Sequence, residues 1–150
     1  MMTRPVPHGL EDYPHARPIG TRWMDNDAYG HVNNVVHYSY FDTVVNEWLI
    51  REGLLDVEKG ALIGLVVETG CHYFEPLTYP ETVTAAMRVA HVGTSSVRYE
   101  IALFGEGRDR AAAQGHFVHV YVSRETRRPA PLPEEWRRRL GSIAAAGPKP

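Results

Sequence analysis

The sequence predicts an α+β fold in which one long helix packs against a single antiparallel sheet. Apolar residues recur every three or four positions over residues 34–52, a spacing typical of an amphipathic helix. After residue 61 the apolar period changes to two, which indicates strands. The turns between the later strands are short enough for hairpins, and hairpins pair their strands antiparallel. A helix lying on one curved sheet is the simplest arrangement that buries both apolar faces.

The long helix has recognisable signals at both ends. Asn33 or Asn34 suits the N-cap position, where a short polar side chain accepts a hydrogen bond from a free backbone N–H. Gly53 suits the position just after the last turn, where the backbone often adopts a positive φ. The apolar stripe between these ends consists of Tyr38, Phe41, Val44, Val45 and Trp48.

The other elements complete a single domain. A short strand is predicted over residues 19–24, and a terminal helix over residues 133–143. The four strands after the long helix are predicted over residues 62–74, 82–91, 97–104 and 111–122. Residues 1–18, rich in proline and histidine, are predicted to be a flexible lead-in, and residues 144–150 a flexible tail. Residues 19–143 therefore form the one predicted domain.

Composition narrows the class of protein and of partner. The formal charge is −2 and both signs are spread along the chain of 150 residues, so no nucleic acid or membrane partner is expected. No apolar run approaches the roughly 20 residues that cross a bilayer. Cys71 is the only cysteine, so we expect no disulfide framework and a cytoplasmic location. His116 and His119 fall on opposite faces of a strand, and no metal site is predicted.

One segment before the long helix carries a specific motif. It reads Trp23-Met24-Asp25-Asn26-Asp27-Ala28-Tyr29-Gly30-His31-Val32-Asn33-Asn34, and Tyr38, Tyr40 and Phe41 follow. This pattern resembles the signature of the 4-hydroxybenzoyl-CoA thioesterase family, and residues 93–100 and 115–123 resemble later strands of the same family. The resemblance covers residues 19–140. It implies the hot-dog fold, in which an antiparallel sheet wraps around a central helix, and it implies an acyl-CoA thioesterase.

The resemblance also implies roles for three residues. Asp27 would be the catalytic carboxylate, acting on the thioester carbonyl as a nucleophile or, through a water, as a general base. A backbone N–H at the helix start, matched to Asn34, would polarise the thioester oxygen. The N-terminus of a helix favours negative charge, which supports both roles. His31 would orient the loop, contact the substrate or transfer a proton, with a purely structural loop histidine as the alternative.

Other polar residues are weaker candidates. Asp25 is a secondary carboxylate or a structural acceptor, and both aspartates also suit turn and capping positions. Glu68 interrupts an apolar strand, so it faces the active-site mouth, a subunit interface or solvent. Ser95 and Ser96 follow a glycine turn, where they are candidates to contact CoA or are simple turn residues. The complete set of candidate substrate-binding residues is Tyr29, Asn33, Tyr38, Glu68, Ser95 and Ser96.

The predicted reaction is hydrolysis of a fatty-acyl or aryl-acyl thioester to the free acid and CoA. No cofactor is expected, because CoA is part of the substrate. The resemblance implies a homodimer or homotetramer. Two alternatives stay open, namely a hot-dog hydratase or dehydratase acting on acyl thioesters, and a non-catalytic acyl-thioester-binding module.

Overall fold

The computed structural model describes residues 5–145, which form five strands and two α-helices. The elements in chain order are β1 (His15–Gly20), α1 (Asn34–Arg51), β2 (Leu62–Tyr73), β3 (Thr82–Val92), β4 (Ser96–Phe104), β5 (Ala113–Ser123) and α2 (Glu134–Gly141). Most bounds lie within two residues of the predicted ones. The first strand is the exception, because it begins and ends four residues earlier than predicted. Residues Trp23–Asp25 form a 3-10 turn instead of extending the strand.

The five strands form one antiparallel sheet in the order β1-β3-β4-β5-β2. The α+β class is therefore as predicted. Both β1 and β2 are edge strands, which explains why Pro18 is tolerated in β1: an edge residue need not donate to a second neighbour. The register of β2 against β5 shifts between Val66 and Glu68, so that the edge carries a bulge.

The core lies between α1 and the inner face of the sheet. Val44 and Val45 of α1 are fully buried, as are alternate residues of β3 and β4. Phe41 packs edge-on against Phe117 of β5, with ring centroids 6.1 Å apart. A Cβ at Gly115 would lie 2.7 Å from the Phe41 ring, so glycine lets the helix and strand approach closely here. Burying each such large apolar side chain stabilises the fold by about 1.5–3 kcal/mol.

Residues 5–14, which belong to the predicted flexible lead-in, make defined contacts with the sheet. Residues 5–14 cross the outer face of the sheet, where Tyr13 is buried with Phe104 and with alanines of β3, β4 and the turn before β5. The His8 N–H donates to the side-chain oxygen of Gln114 at 3.0 Å. At the other end of the chain, the Ala145 N–H donates to the carbonyl of Val89 at 2.8 Å. Residues 1–4 and 146–150 lie outside the described part, so the predicted flexibility there stays a prediction.

A buried carboxylate ties the segment between β1 and α1 to the helix. Asp25 is only 1% exposed and accepts hydrogen bonds from the Tyr40 hydroxyl at 2.7 Å and the Arg22 backbone N–H at 2.8 Å. The Arg22 guanidinium donates to the second oxygen at 2.9 Å. Burial opposes ionisation of Asp25, but these hydrogen bonds outweigh it and lower the pKa of the carboxyl. The Asn33 N–H donates to the Asp25 carbonyl at 2.9 Å, so the same residue also fixes the helix start.

Replacing Tyr40 by phenylalanine should remove one donor from a buried carboxylate and lower the free energy of unfolding by about 1–3 kcal/mol at pH 7. The pKa of Asp25 is lower in the folded state, so its stabilisation is present above the unfolded value of 3.8 and is lost as the pH falls through the folded pKa. The deficit of Tyr40→Phe should therefore shrink below about pH 3.8. Urea unfolding at several pH values measures it, with the exposed Tyr29→Phe as a control. A deficit that is absent, or that is unchanged in acid, would contradict this role of Asp25.

Candidate active site

The segment of residues 23–33 that carries the motif, called the motif loop below, holds Asp27 in one orientation beside the start of α1. The Asp27 N–H donates to the carbonyl of His31 at 2.8 Å, and the Gly30 N–H donates to the Asp27 carbonyl at 3.1 Å. Gly30 has a φ of +81°, a conformation that favours glycine. The Asp27 Oδ1 accepts the N–H groups of Tyr29 at 2.8 Å and His31 at 3.4 Å. Its Oδ2 has no hydrogen-bond partner among residues 5–145, so that atom is available to a ligand.

The first turn of α1 leaves one backbone donor free near this carboxylate. Asn33 is the N-cap, and its side-chain oxygen accepts the Val35 N–H at 3.0 Å. No acceptor for the Asn34 N–H lies within the described residues. The free N–H and the helix dipole together favour negative charge at this point.

A cleft of about 370 Å³ opens in front of these groups. Its lining residues are Asp27, His31, Val32, Asn34, His37, Tyr73, Phe74, Glu75 and Pro76. The structure therefore brings together all three residues for which the sequence predicts a catalytic role. A carboxylate oxygen and a backbone donor at one cleft are the groups needed to act on a carbonyl carbon and to stabilise the developing oxyanion.

Several other predicted site residues have different surroundings. Asp25 is a structural acceptor, as described above, and Asn33 caps the helix. Tyr29 is 87% exposed and does not line the cleft. Tyr38 packs edge-on against Phe41, with centroids 5.9 Å apart, next to the cleft but not in its lining.

The remaining candidates lie far from the cleft of their own chain. Glu68 faces the outer side of the sheet, where its carboxylate lies 2.8 Å from His116 Nε2 and 3.6 Å from Arg98 Nη1. Ser95 and Ser96 lie at the turn between β3 and β4. That turn is at the opposite end of β3 from the loop, a strand of 11 residues that spans roughly 35 Å. None of these three residues lines the cleft.

Six of the nine residues that line the cleft were not predicted as site residues from the sequence, and Tyr73 and His37 are two of them. The Tyr73 hydroxyl donates to the carbonyl of Asn34 at 3.0 Å, and burial is the main cause that raises the pKa of this phenol. His37 is only 3% exposed and packs edge-on against Tyr73, with ring centroids 4.9 Å apart. His37 could have been found, because it lies four residues after Asn33 and so on the same helix face. Tyr73 has no local signal, because its position depends on how the end of β2 meets the helix.

The described residues show neither a metal cluster nor a membrane span. Between residues 5 and 145, no three His, Cys, Asp or Glu side chains lie close enough together to hold a metal ion. His119 points into the core and His116 to the outer face, so the two are on opposite faces as predicted. No helix in this part of the chain is long and apolar enough to cross a bilayer.

Solved structures with the same fold include proteins that are also similar in sequence. The PA5185 protein of Pseudomonas aeruginosa is 48% identical with a TM-score of 0.90, over 95% of this chain and 99% of that one. The PA2801 protein of the same organism is 30% identical with a TM-score of 0.76, over 84% and 97% of the two chains. A thioesterase of Thermus thermophilus, solved with coenzyme A and zinc, is 31% identical with a TM-score of 0.73, over 85% and 98%. These likenesses confirm the predicted hot-dog fold.

Among curated protein sequences, none matches this chain. A family model does match, and it covers residues 21–140, which include the motif loop, α1 and every strand of the sheet except β1. The family that it describes is the thioesterase-like superfamily. The chain therefore belongs to the thioesterase-like superfamily, which confirms the family and the class of enzyme, a thioester hydrolase, that the sequence predicts.

Proposed function

We propose that this enzyme hydrolyses an acyl-CoA to the free acid and CoA, with Asp27 as the catalytic carboxylate. The observation that carries the proposal is that Asp27 and Asn34, which hold a free carboxylate oxygen and a free backbone N–H, line one cleft. Neither atom has a hydrogen-bond partner among residues 5–145, although both are strongly polar. A thioester carbonyl between them would have a nucleophile or base on its carbon and a donor on its oxygen.

The two groups suffice chemically for this reaction. As the carbonyl carbon becomes tetrahedral, its oxygen gains negative charge, and the Asn34 N–H and the helix dipole stabilise that charge. Thiols have a pKa of roughly 8.5, so a thiolate leaves with little help from an acid. Asp27 acts either by attacking the carbon itself or by taking a proton from an attacking water. His31 lines the same cleft and is positioned to contact the substrate.

The carrier that we propose is CoA, and the acyl group is fatty or aromatic. The Thermus thermophilus thioesterase, 31% identical to this chain, was solved with coenzyme A, which supports CoA as the carrier here. The rim of the cleft includes Tyr73 and Phe74, whose rings suit an apolar acyl group. We propose no cofactor beyond the CoA of the substrate, and a cytoplasmic location.

We further infer that the enzyme works as a homodimer or homotetramer. Strand β2 is a 12-residue edge, and its outer side pairs with no other strand of the described chain. Leu65, Val66 and Val67 in its middle are 45%, 50% and 60% exposed. A long apolar edge is an aggregation hazard unless it is covered, and a second copy of the strand would cover it. Such pairing would also bring Glu68 of each chain close to the junction.

Asp27→Asn should abolish most hydrolysis while leaving the fold intact. The amide keeps the acceptor for the Tyr29 and His31 N–H groups but is neither a nucleophile nor a base, so kcat should fall about 100- to 10,000-fold. Thiol release from saturated short, medium, long and aromatic acyl-CoAs measures it, and hydration of a double bond cannot produce this signal. The matched control is Asp56→Asn, at an exposed turn after α1. Undiminished activity of Asp27→Asn would contradict the assignment, and no thiol release by the wild type would contradict the proposed function.

Lysines at Val66 and Val67 should reduce the assembly, because two charges at the middle of β2 disfavour strand pairing. The wild type should sediment with at least twice the 16.9 kDa mass of one chain, and the double variant should contain more of the single chain. Val57→Lys, at a somewhat more exposed apolar position in a loop, is the control. A wild type that sediments as a single chain at micromolar concentration would contradict the inference.

A further inference from the structure

His37 is a buried imidazole that lines the cleft and makes no hydrogen bond to Asp27 or Asn34. It lies on the first turn of α1, and its ring packs against Tyr73 and, at 6.5 Å, Tyr40. Only one of its two ring nitrogens has a hydrogen-bond partner among residues 5–145. The ring lines the cleft, so the other nitrogen, Nε2, is the one left for a water or a substrate.

The paired nitrogen settles which tautomer the ring adopts. Nδ1 lies 3.1 Å from the carbonyl oxygen of Asn33, and a carbonyl oxygen can only accept a hydrogen bond. Nδ1 must therefore carry the proton in that bond. In the neutral ring Nε2 is then the unprotonated nitrogen, a lone-pair acceptor held in a fixed direction.

We propose that His37 is the general base that takes a proton from the hydrolytic water, an inference that rests on the proposed function. This role leaves Asp27 free to be the nucleophile. Both residues line the one cleft, where we place the hydrolytic water between Nε2 and an acyl group attached to Asp27. The anchored tautomer is the arrangement that a base needs, since a ring free to flip would present Nε2 only part of the time.

The reaction then has two balanced steps. First, Asp27 Oδ2 bonds to the thioester carbon and the carbon–sulfur bond breaks, so that CoA leaves as a thiolate and an acyl-aspartyl anhydride remains. Second, a water oxygen bonds to the acyl carbon while one of its protons passes to His37 Nε2. The bond between the acyl carbon and Asp27 breaks, which restores the carboxylate and leaves the free acid. The imidazolium finally returns its proton to solvent.

The surroundings of His37 favour a neutral ring. Burial is the main cause that lowers its pKa below 6.5, and the hydrogen bond to Asn33 opposes the shift. The titratable groups in contact with the ring are Tyr40 on α1 and Tyr73 on β2. The other titratable groups that line the same cleft are Asp27, His31 and Glu75. Since a protonated ring cannot accept a proton, hydrolysis should fall as the pH drops through this lowered pKa, which lies below 6.5.

His37→Asn separates a catalytic role from a structural one. An asparagine amide can keep the hydrogen bond to the Asn33 carbonyl, because its nitrogen occupies nearly the place of Nδ1, but it supplies no base at Nε2. We expect kcat to fall about 100-fold or more. Mixing the variant with acyl-CoA should release a burst of one thiol per chain, followed by slow turnover, because the first step still proceeds. Intact-protein mass spectrometry should show one added acyl group, and the double variant Asp27→Asn/His37→Asn should show neither burst nor added mass.

A second variant distinguishes loss of the base from a folding defect. A control variant tests whether removing any histidine lowers activity. His37→Ala should regain activity when free imidazole is added, since imidazole can occupy the vacated space and act as the base. His91→Asn, on an exposed part of β3, should match the wild type. Two results would overturn the role of His37 alone, provided that the wild type releases thiol. In the first, His37→Asn keeps full kcat. In the second, His37→Asn loses kcat but shows neither a burst nor an acyl adduct. No thiol release by the wild type would instead overturn the proposed function.

Discussion

The site depends on one buried carboxylate, that of Asp25. Its oxygens bind the Tyr40 hydroxyl from α1 and both the backbone and guanidinium of Arg22, while its carbonyl accepts the Asn33 N–H. A buried charge is costly unless every oxygen is paired, so these donors are needed once the carboxylate is inside. Because the donors come from the loop and from the helix, satisfying the charge also fixes the loop on the helix. The position of Asp27, two residues later, follows from that constraint.

The second layer of support comes from the first turn of α1. Asn33 caps Val35 with its side chain and accepts His37 Nδ1–H with its carbonyl, and Tyr73 donates to the neighbouring carbonyl of Asn34. These bonds use the side chain of Asn33 and the carbonyls of Asn33 and Asn34, but they leave the Asn34 N–H without an acceptor in the described chain. The turn therefore combines a rigid framework with one free donor, and rigid donors stabilise a developing charge without reorganisation.

Local patterns were enough to predict the parts of the molecule that local chemistry controls. The helix is one example, since Asn33 caps it and Gly53 follows it with a φ of +74°. The motif loop is another, because the cleft residues Asp27, His31 and Asn34 lie within eight consecutive positions. The bounds of β1 were predicted wrongly, because residues 23–25 form a turn instead of a strand. That turn is held by the hydrogen bond from Tyr40 to Asp25, which joins residues 15 positions apart. The face of the sheet on which Glu68 lies could not be predicted from the alternation of residues along β2, because a bulge shifts the register just before Glu68. Tyr73 was missed for a similar reason, as its partner is 39 positions away.

Residues 5–14 lie over the outer face of the sheet, and this has a consequence for any shortened form of the chain. The alanines of β3 and β4 beneath Tyr13 have small side chains. Without residues 5–14 this part of the outer face would be a flat apolar surface. A polypeptide starting at β1 would keep all of the cleft residues. It would, however, expose the apolar outer face of the sheet around Phe104 to solvent. Such a surface invites association between molecules. Residues 5–14, which form no strand or α-helix, therefore shield the apolar outer face of the sheet from solvent.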